Sequence, residues 1–234
     1  MRSRSGGDRP GIQLLYGWMH MSTPPLRESP PIHRFTEDLD SVVRPLYREE
    51  FEKLMQKERP GRAERGEDYR VELLSGVLIE MGDASERHHT VVERVCDRLD
   101  AAIPEAASWC SYGHVPLTVD SMPLVDIKIV LPPDPQIEQD NPLALIEVAD
   151  ASLDKDRHIK AVLYAAAGVR EYWIVDLQGE AIEVHRRPWA NRYPEFRRYT
   201  DVVRYERGDR IQATVLFSRG AAVNDFLTGL DALH

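Results

Sequence analysis

Stretches of helical and strand periodicity alternate along the chain. Apolar residues recur on one helix face from Pro45 until Arg59-Pro60-Gly61 ends the pattern. A longer amphipathic helix is predicted after Ser85, a suitable N-cap, and it ends before Pro104. A third helix is predicted over about 155–167, because Gly168 then stands where helices favour a left-handed residue.

The remaining apolar runs have the length and composition of strands. Ser75-Gly76 and Gln178-Gly179 predict hairpin turns, and the nearly continuous apolar run Leu143–Ala149 predicts a strand buried on both faces. Strands are predicted at 69–74, 77–81, 114–119, 124–131, 143–149, 171–176, 181–187, 193–199 and 211–217, followed by a short helix at 222–227. The pattern predicts an α/β fold with a central mixed β-sheet flanked by helices over residues 36–234.

Residues 1–35 contain five of the 16 prolines and show no period, so we expect a disordered N-terminal tail. The 234 residues include 42% hydrophobic and 29% charged residues, a composition typical of a globular protein. No apolar run reaches the roughly 18–20 residues that span a bilayer, and we expect a cytoplasmic protein. The two cysteines, Cys96 and Cys110, are too few for a disulfide framework. The formal net charge of −9 argues against non-specific coating of nucleic acid.

Acidic residues inside apolar strands are the main sign of chemistry. The chain lacks phosphate-loop, dinucleotide-binding, serine-hydrolase and zincin motifs. Asp126, Glu147 and Glu72 each interrupt an apolar strand, and a buried carboxylate is costly unless it is paired or binds a cation. Each of the three could instead point to solvent. Together they predict a site of oxygen ligands, which favours Mg²⁺ or Mn²⁺ over zinc.

Asp156, Lys160 and Tyr164 recur every four residues and therefore share one face of the third helix. Lys160 could form an exposed ion pair with Asp156, or its ammonium could lie over the metal site and stabilise a phosphoryl transition state. His88 and His89 open the second helix, where they could contact a substrate phosphate or make a local hydrogen bond.

The C-terminal third of the chain is rich in arginine and aromatic residues. This mixture can follow a phosphate backbone and stack on bases, but arginines on an outer hairpin face also simply keep a protein soluble. Four acidic residues dilute the basic ones, so the second interpretation is favoured: Glu195, Asp201, Glu206 and Asp209.

Three blocks of the chain carry a resemblance to a known family: 69–81, Arg87-His88 and the block from Glu147 to Asp176. They resemble the Uma-two family of restriction endonucleases, within the PD-(D/E)xK nuclease superfamily. The last block is the most specific, because order, spacing and residue type all agree there. The resemblance covers about residues 45–230. It implies a restriction-endonuclease-like fold and a Mg²⁺-dependent phosphodiesterase site at the sheet edge.

The family's functional residues match positions of this chain. The resemblance makes Asp126 the aspartate of the Pro-Asp motif, Glu147 the acidic residue of (D/E)xK, and Glu72 the glutamate that completes the metal shell. The motif proline is replaced by Val125. The motif lysine is replaced by Ala149, and Lys160 on the following helix is its natural substitute. The resemblance places a second group around the metal and substrate: His88, Asp156, Arg157 and Tyr164.

The leading hypothesis is a metal-dependent endodeoxyribonuclease. Asp126, Glu147 and the Val148 carbonyl would hold one or two Mg²⁺ ions, and Lys160 would orient a water or stabilise the phosphorane. The substrate would be nucleic acid, most simply DNA, and a homodimer is conceivable by analogy with other nucleases. A catalytically silent module that binds nucleic acid or a protein, and a hydrolase of another phosphate ester, are the alternatives.

Overall fold

The computed structural model describes residues 44–64, 70–102, 108–130, 142–189, 197–212 and 214–230. Its centre is a six-stranded sheet in the order β3-β4-β5-β6-β7-β8. The strands are β3 (Ser108–His114), β4 (Leu124–Val130), β5 (Ala144–Ala149), β6 (Glu171–Asp176), β7 (Ala181–Trp189) and β8 (Arg198–Glu206). The pairing of β5 with β6 is parallel and the other four pairings are antiparallel, so the sheet is mixed, as predicted.

One face of the sheet is covered by a long amphipathic helix. Helix α2 (Glu86–Ala102) is the amphipathic helix predicted after Ser85, and its buried stripe consists of Val91, Val92, Val95 and Leu99. These side chains share a core with Ile127, Ile146 and Trp173 of the sheet. Ser85 caps the helix as predicted, because its Oγ accepts a hydrogen bond from the His88 amide at 3.1 Å.

The opposite face is covered by a composite helical segment. It consists of α3 (Leu153–Lys155), a π-helical turn (Asp156–Lys160) and α4 (Ala161–Ala167). Leu163 and Tyr164 pack here against Leu145, Tyr172 and other residues of the sheet. Gly168 ends the segment with a φ of +81°, the left-handed conformation predicted for it.

A small hairpin closes one end of the molecule. Strands β1 (Val71–Leu74) and β2 (Val77–Glu80) pair across the predicted Ser75-Gly76 turn, and helix α1 (Arg48–Glu64) packs against them through Phe51. Two-stranded pairing of β9 (Arg210–Ile211) with β10 (Ala221–Ala222) precedes the short helix α5 (Asn224–Leu227).

Three predicted strands were wrong in position. The edge strand of the sheet is β3 and not 114–119. Val115 and Leu117 are buried in a connecting segment whose amides donate to the Pro123 and Ser121 carbonyls, outside the six-stranded sheet. The last strand of the sheet is β8, shifted toward the C-terminus from the predicted 193–199, of which 193–196 lie outside the described residues. Of the residues in the predicted strand 211–217 that the structure describes, only Ile211 belongs to a strand.

Two smaller expectations also changed. Helix α1 continues through Arg59-Pro60-Gly61, where the pattern predicted its end, to Glu64. The β6–β7 connection is a four-residue turn over 177–180 and not a two-residue one, and the Asp176 carboxylate accepts a hydrogen bond from the Gly179 amide within it. Cys96 is a free thiol packed at the margin of the core. The predicted tail, 1–35, lies outside the described residues.

Candidate active site

Strands β4 and β5 separate at Asp126. Their ladder ends at the pair Ile127 and Ile146, so Asp126 and Glu147 occupy the next position of each strand. In place of a strand partner, the Val148 amide donates to Asp126 Oδ2 at 2.8 Å. Asp126 is 6% exposed and Glu147 is 3% exposed, so neither carboxylate lies on a solvated face.

Glu147 is bound from the helical layer by two side chains. Lys160 Nζ donates to Glu147 Oε1 at 2.9 Å, and the Tyr164 hydroxyl donates to the same oxygen at 2.6 Å. Lys160 Nζ also donates to the Leu124 carbonyl at 3.1 Å. Lys160 is only 2% exposed, so the exposed ion pair considered from spacing alone is wrong.

Glu72 joins the same group from the separate hairpin. Its side chain is fully buried, with Oε2 3.1 Å from Lys160 Nζ and Oε1 accepting from Lys155 Nζ at 2.5 Å. Glu72 therefore does not point outward. The contact with Lys155 spans 83 positions of sequence, and nothing in the sequence pattern indicated Lys155.

The π-helical turn brings Asp156 and Lys160 into the site together. A π turn adds a residue to the helical repeat and is frequent at functional sites. Ser152 Oγ donates to Asp156 Oδ2 at 2.5 Å, whereas the buried Asp156 Oδ1 has no hydrogen-bond donor in the described part of the chain and lies 3.9 Å from Lys160 Nζ. The predicted common face of Asp156, Lys160 and Tyr164 is confirmed.

The pKa values of the two central carboxyl groups, Asp126 and Glu147, are shifted in opposite directions. Burial raises the pKa of Glu147 to about 8, although Lys160 lowers it. Burial also raises the pKa of Asp126, but hydrogen bonds from His88 and Val148 lower it more, so its net pKa lies below the ordinary value. Burial lowers the pKa of Lys160, but the carboxylates of Glu147 and Glu72 raise it by more. The net pKa therefore lies above the ordinary value, and the ammonium stays charged. Such opposed pairs are typical of acid–base sites.

Asp126 also has partners on the side of α2. His88 is buried, and its Nε2 is 3.1 Å from Asp126 Oδ2, so its imidazole contacts a strand 38 positions away in the sequence. The contact with a substrate phosphate stays a prediction. Arg70 Nη2 lies 4.0 Å from Asp126 Oδ1. Arg70 was not found from the sequence, because an arginine just before a strand carries no distinctive pattern.

Arg157 is the one predicted site residue without a described contact in this group. Its guanidinium binds the Glu183 carboxylate and lies 3.5 Å from Asp176 Oδ2. Arg204 of β8 contacts the same two carboxylates at 3.0–3.1 Å. Part of the C-terminal arginine content therefore forms a structural ion-pair network.

The donor set has the chemistry that a hard divalent cation requires, since its acidic members offer only carboxylate oxygens. The spare acceptor capacity of Asp156 Oδ1 fits this as well. Among the described residues, however, no three acidic, histidine or cysteine side chains converge as a ready metal cage. The ammonium groups of Lys160 and Lys155 provide the counter-charge to Glu147 and Glu72 instead.

This fold is found in a solved nuclease-like protein. The crystal structure of "a putative nuclease belonging to DUF820" from Anabaena variabilis matches with a TM-score of 0.52 and 14% sequence identity, covering 68% of this chain and 90% of that one. The two proteins therefore share this mixed α/β fold. No curated protein matches the chain.

The sequence profile of the Uma2 family, described as "Putative restriction endonuclease", matches residues 48–224. The chain belongs to this family. None of the helices in the described ranges is long and apolar enough to cross a membrane.

Proposed function

We propose that the chain is a metal-dependent endodeoxyribonuclease of the PD-(D/E)xK type. The observation that carries this proposal is the opening between β4 and β5, where Asp126 and Glu147 lie on adjacent strands and Glu147 is bound by Lys160. Family membership supports a nucleic-acid substrate. DNA as that substrate, the cytoplasm as its location and a homodimer as its assembly remain predictions from the sequence.

Each residue of the group has a part in this proposal. Asp126 and Glu147, with the Val148 carbonyl, are the candidates to hold Mg²⁺ or Mn²⁺, and Glu72 would join them by giving up a lysine contact. The bound ion would lower the pKa of a water and neutralise charge on the scissile phosphate. The charged ammonium of Lys160 would lie next to the reacting phosphoryl group and stabilise its negative charge, and Tyr164 would fix the orientation of Glu147.

The test is a cleavage assay with buried-carboxylate controls. Wild type, Asp126→Asn and Glu147→Gln are incubated with plasmid and single-stranded DNA in Mg²⁺, Mn²⁺ or EDTA. Glu171→Gln is the matched control, because Glu171 is 1% exposed but binds Trp173 and the Val215 amide at the other end of the strands. We expect metal-dependent cleavage by wild type and Glu171→Gln only. Cleavage that survives both site substitutions would remove the assignment.

A second candidate, a silent nuclease-fold module, is favoured by one observation. Lys155 and Lys160 already pair with Glu72 and Glu147 within the chain, so these two carboxylates have a counter-charge without a cation. Such a module should show no thermal shift with Mg²⁺, whereas a metal site should add stability in proportion to RT ln(1 + [Mg²⁺]/Kd).

A further inference from the structure

Tyr112 is a strained residue on the edge strand directly beside the candidate site. The β3–β4 register pairs Ser111 with Ile127 and Gly113 with Val125, which places Tyr112 opposite Asp126, yet these two residues are not paired. The cause is the φ of +51° at Tyr112, a left-handed conformation that a residue with a Cβ rarely adopts. Strained residues of this kind cluster at functional sites.

The core does not account for this conformation. Tyr112 is 38% exposed, so its ring has not been turned inward to fill space. Three other residues have a positive φ, and each has a local explanation. Ser75 and Glu180 lie in tight turns. Arg187 precedes Pro188, which has no amide proton to donate to the strand ladder. Tyr112 has neither a turn nor a proline to explain it.

Two side chains that can bind a phosphate, Arg70 and His89, contact Tyr112. Arg70 Cζ lies 5.8 Å from the ring centroid, and the Tyr112 hydroxyl is 2.9 Å from His89 Nδ1. The Arg70 side chain is 11% exposed and its Nη2 lies 4.0 Å from Asp126 Oδ1, so Arg70 connects the Tyr112 ring with this carboxylate. Exposed aromatic rings stack on bases, and arginine binds phosphate.

We propose that Tyr112, Arg70 and His89 hold an unpaired nucleotide next to the scissile phosphodiester. The base lies against the Tyr112 ring, and the phosphate is bound by Arg70 with His89. A base can present its face to this ring only when it is not stacked in a duplex, so the substrate is single-stranded, frayed or locally opened. This inference deepens the proposed function and rests on it for the position of the scissile bond.

The chain offers a matched control on β7, next to the edge strand β8 on the far side of the sheet. Trp189 is 47% exposed, and Arg198 Cζ lies 5.7 Å from its ring, so it is also an arginine-covered aromatic side chain. Trp189 lies in the C-terminal third of the chain, whose arginine and aromatic residues were considered above as a possible nucleic-acid contact. Trp189→Ala therefore tests whether any exposed aromatic ring serves equally well.

The experiment measures binding without cleavage. Fluorescence anisotropy of a labelled single-stranded oligonucleotide and of a hairpin duplex is followed in EDTA and, separately, in Ca²⁺. We expect wild type to prefer the single strand and Tyr112→Ala to weaken that binding roughly 5- to 150-fold, the fold-change that corresponds to loss of one stacked base. Tyr112→Phe should stay close to wild type because it keeps the ring, and Trp189→Ala should change affinity less than about twofold.

Tyr112→Gly separates binding from folding. Glycine accepts a φ of +51° without strain, so this variant should unfold at a higher temperature than Tyr112→Ala and yet bind as weakly. Equal losses in Tyr112→Ala and Trp189→Ala, an unaffected Tyr112→Ala, or no wild-type binding in either buffer would overturn the inference. Tyr112-dependent binding without metal-dependent cleavage would overturn only the proposed activity, and cleavage with Tyr112-independent binding would overturn only this inference.

Discussion

Replacing Lys160 by methionine should destabilise the protein in a pH-dependent way. Methionine keeps most of the volume of the side chain but removes an ammonium that contacts Glu147, Glu72 and the Leu124 carbonyl. Removing one partner of a buried ion pair costs about 3–5 kcal/mol, because the remaining charge is left uncompensated. Glu72 keeps Lys155, so the loss is concentrated at Glu147.

Protonation of Glu147 limits this cost at low pH. Burial already raises the pKa of Glu147 to about 8, and loss of the Lys160 ammonium would raise it further. At pH 6 the neutral acid therefore replaces the unpaired carboxylate, and we expect a cost of roughly 1–3 kcal/mol for the lost hydrogen bonds. Above pH 8 the cost should rise by at most about 1.4 kcal/mol per pH unit, because wild type gains the ionised Glu147–Lys160 pair, whereas the variant must keep Glu147 protonated or bury its unpaired charge.

Urea unfolding followed by tryptophan fluorescence measures these free energies, since Trp173 is 1% exposed in the core. Lys160→Met/Glu147→Gln should be more stable than Lys160→Met at pH 9, because the second change removes the unpaired charge. Lys155→Met is the comparison variant, as it contacts Glu72 but not Glu147 and its side chain is 23% exposed. A cost below about 1 kcal/mol for Lys160→Met at both pH values would refute the reasoning.

The other predictions concern protons, metal and one hydrogen bond. Burial raises the pKa of Glu183, but His185, Arg157 and other partners lower it to about 2. The stabilisation from the ionised carboxylate is therefore present above about pH 4.5 and is lost as the pH falls toward 2. Acid unfolding of Glu183→Gln should depend less on pH than that of wild type. Because Glu147 binds a proton up to a pKa of about 8, the rise in melting temperature with Mg²⁺ should be larger at pH 8.5 than at pH 6.5, and an equal rise at both would argue against Glu147 as a ligand. Tyr164→Phe removes the 2.6 Å hydrogen bond to Glu147 and should cost about 1.5–3 kcal/mol in urea unfolding at pH 9, where this carboxyl is ionised, while Glu147→Gln should reduce that effect.

The sequence predicted those parts of the fold that rest on periodicity. The stripe of α2 and the apolar run of β5 were recognised because burial on one or both faces leaves a pattern in residue type. The edge strand β3 was missed because its Tyr112-Gly113 pair resembles a turn, whereas the buried Val115 and Leu117 that follow resemble a strand. Periodicity records which side chains are buried, not whether the backbone is paired.

The candidate site was predictable where a residue conflicted with its surroundings. Asp126 and Glu147 stood out because carboxylates are costly in apolar strands, and the helical spacing of Lys160 and Tyr164 placed them together. Lys155 and Arg70 could not be found in this way, because charged residues in polar segments are ordinary. Their roles depend on contacts between distant parts of the chain, which only the fold defines.

The lysine contacts suggest how metal binding and stability are linked in the proposed enzyme. Carboxylates gathered at one point repel each other, so the apo protein needs a counter-charge, and Lys160 supplies it from within. A divalent ion that binds Glu147 competes with this ammonium for the same carboxylate. Metal binding would therefore free Lys160 to face the substrate phosphate. Loss of Lys160 should then tighten Mg²⁺ binding while lowering cleavage, and a variant in which both fall together would contradict this competition.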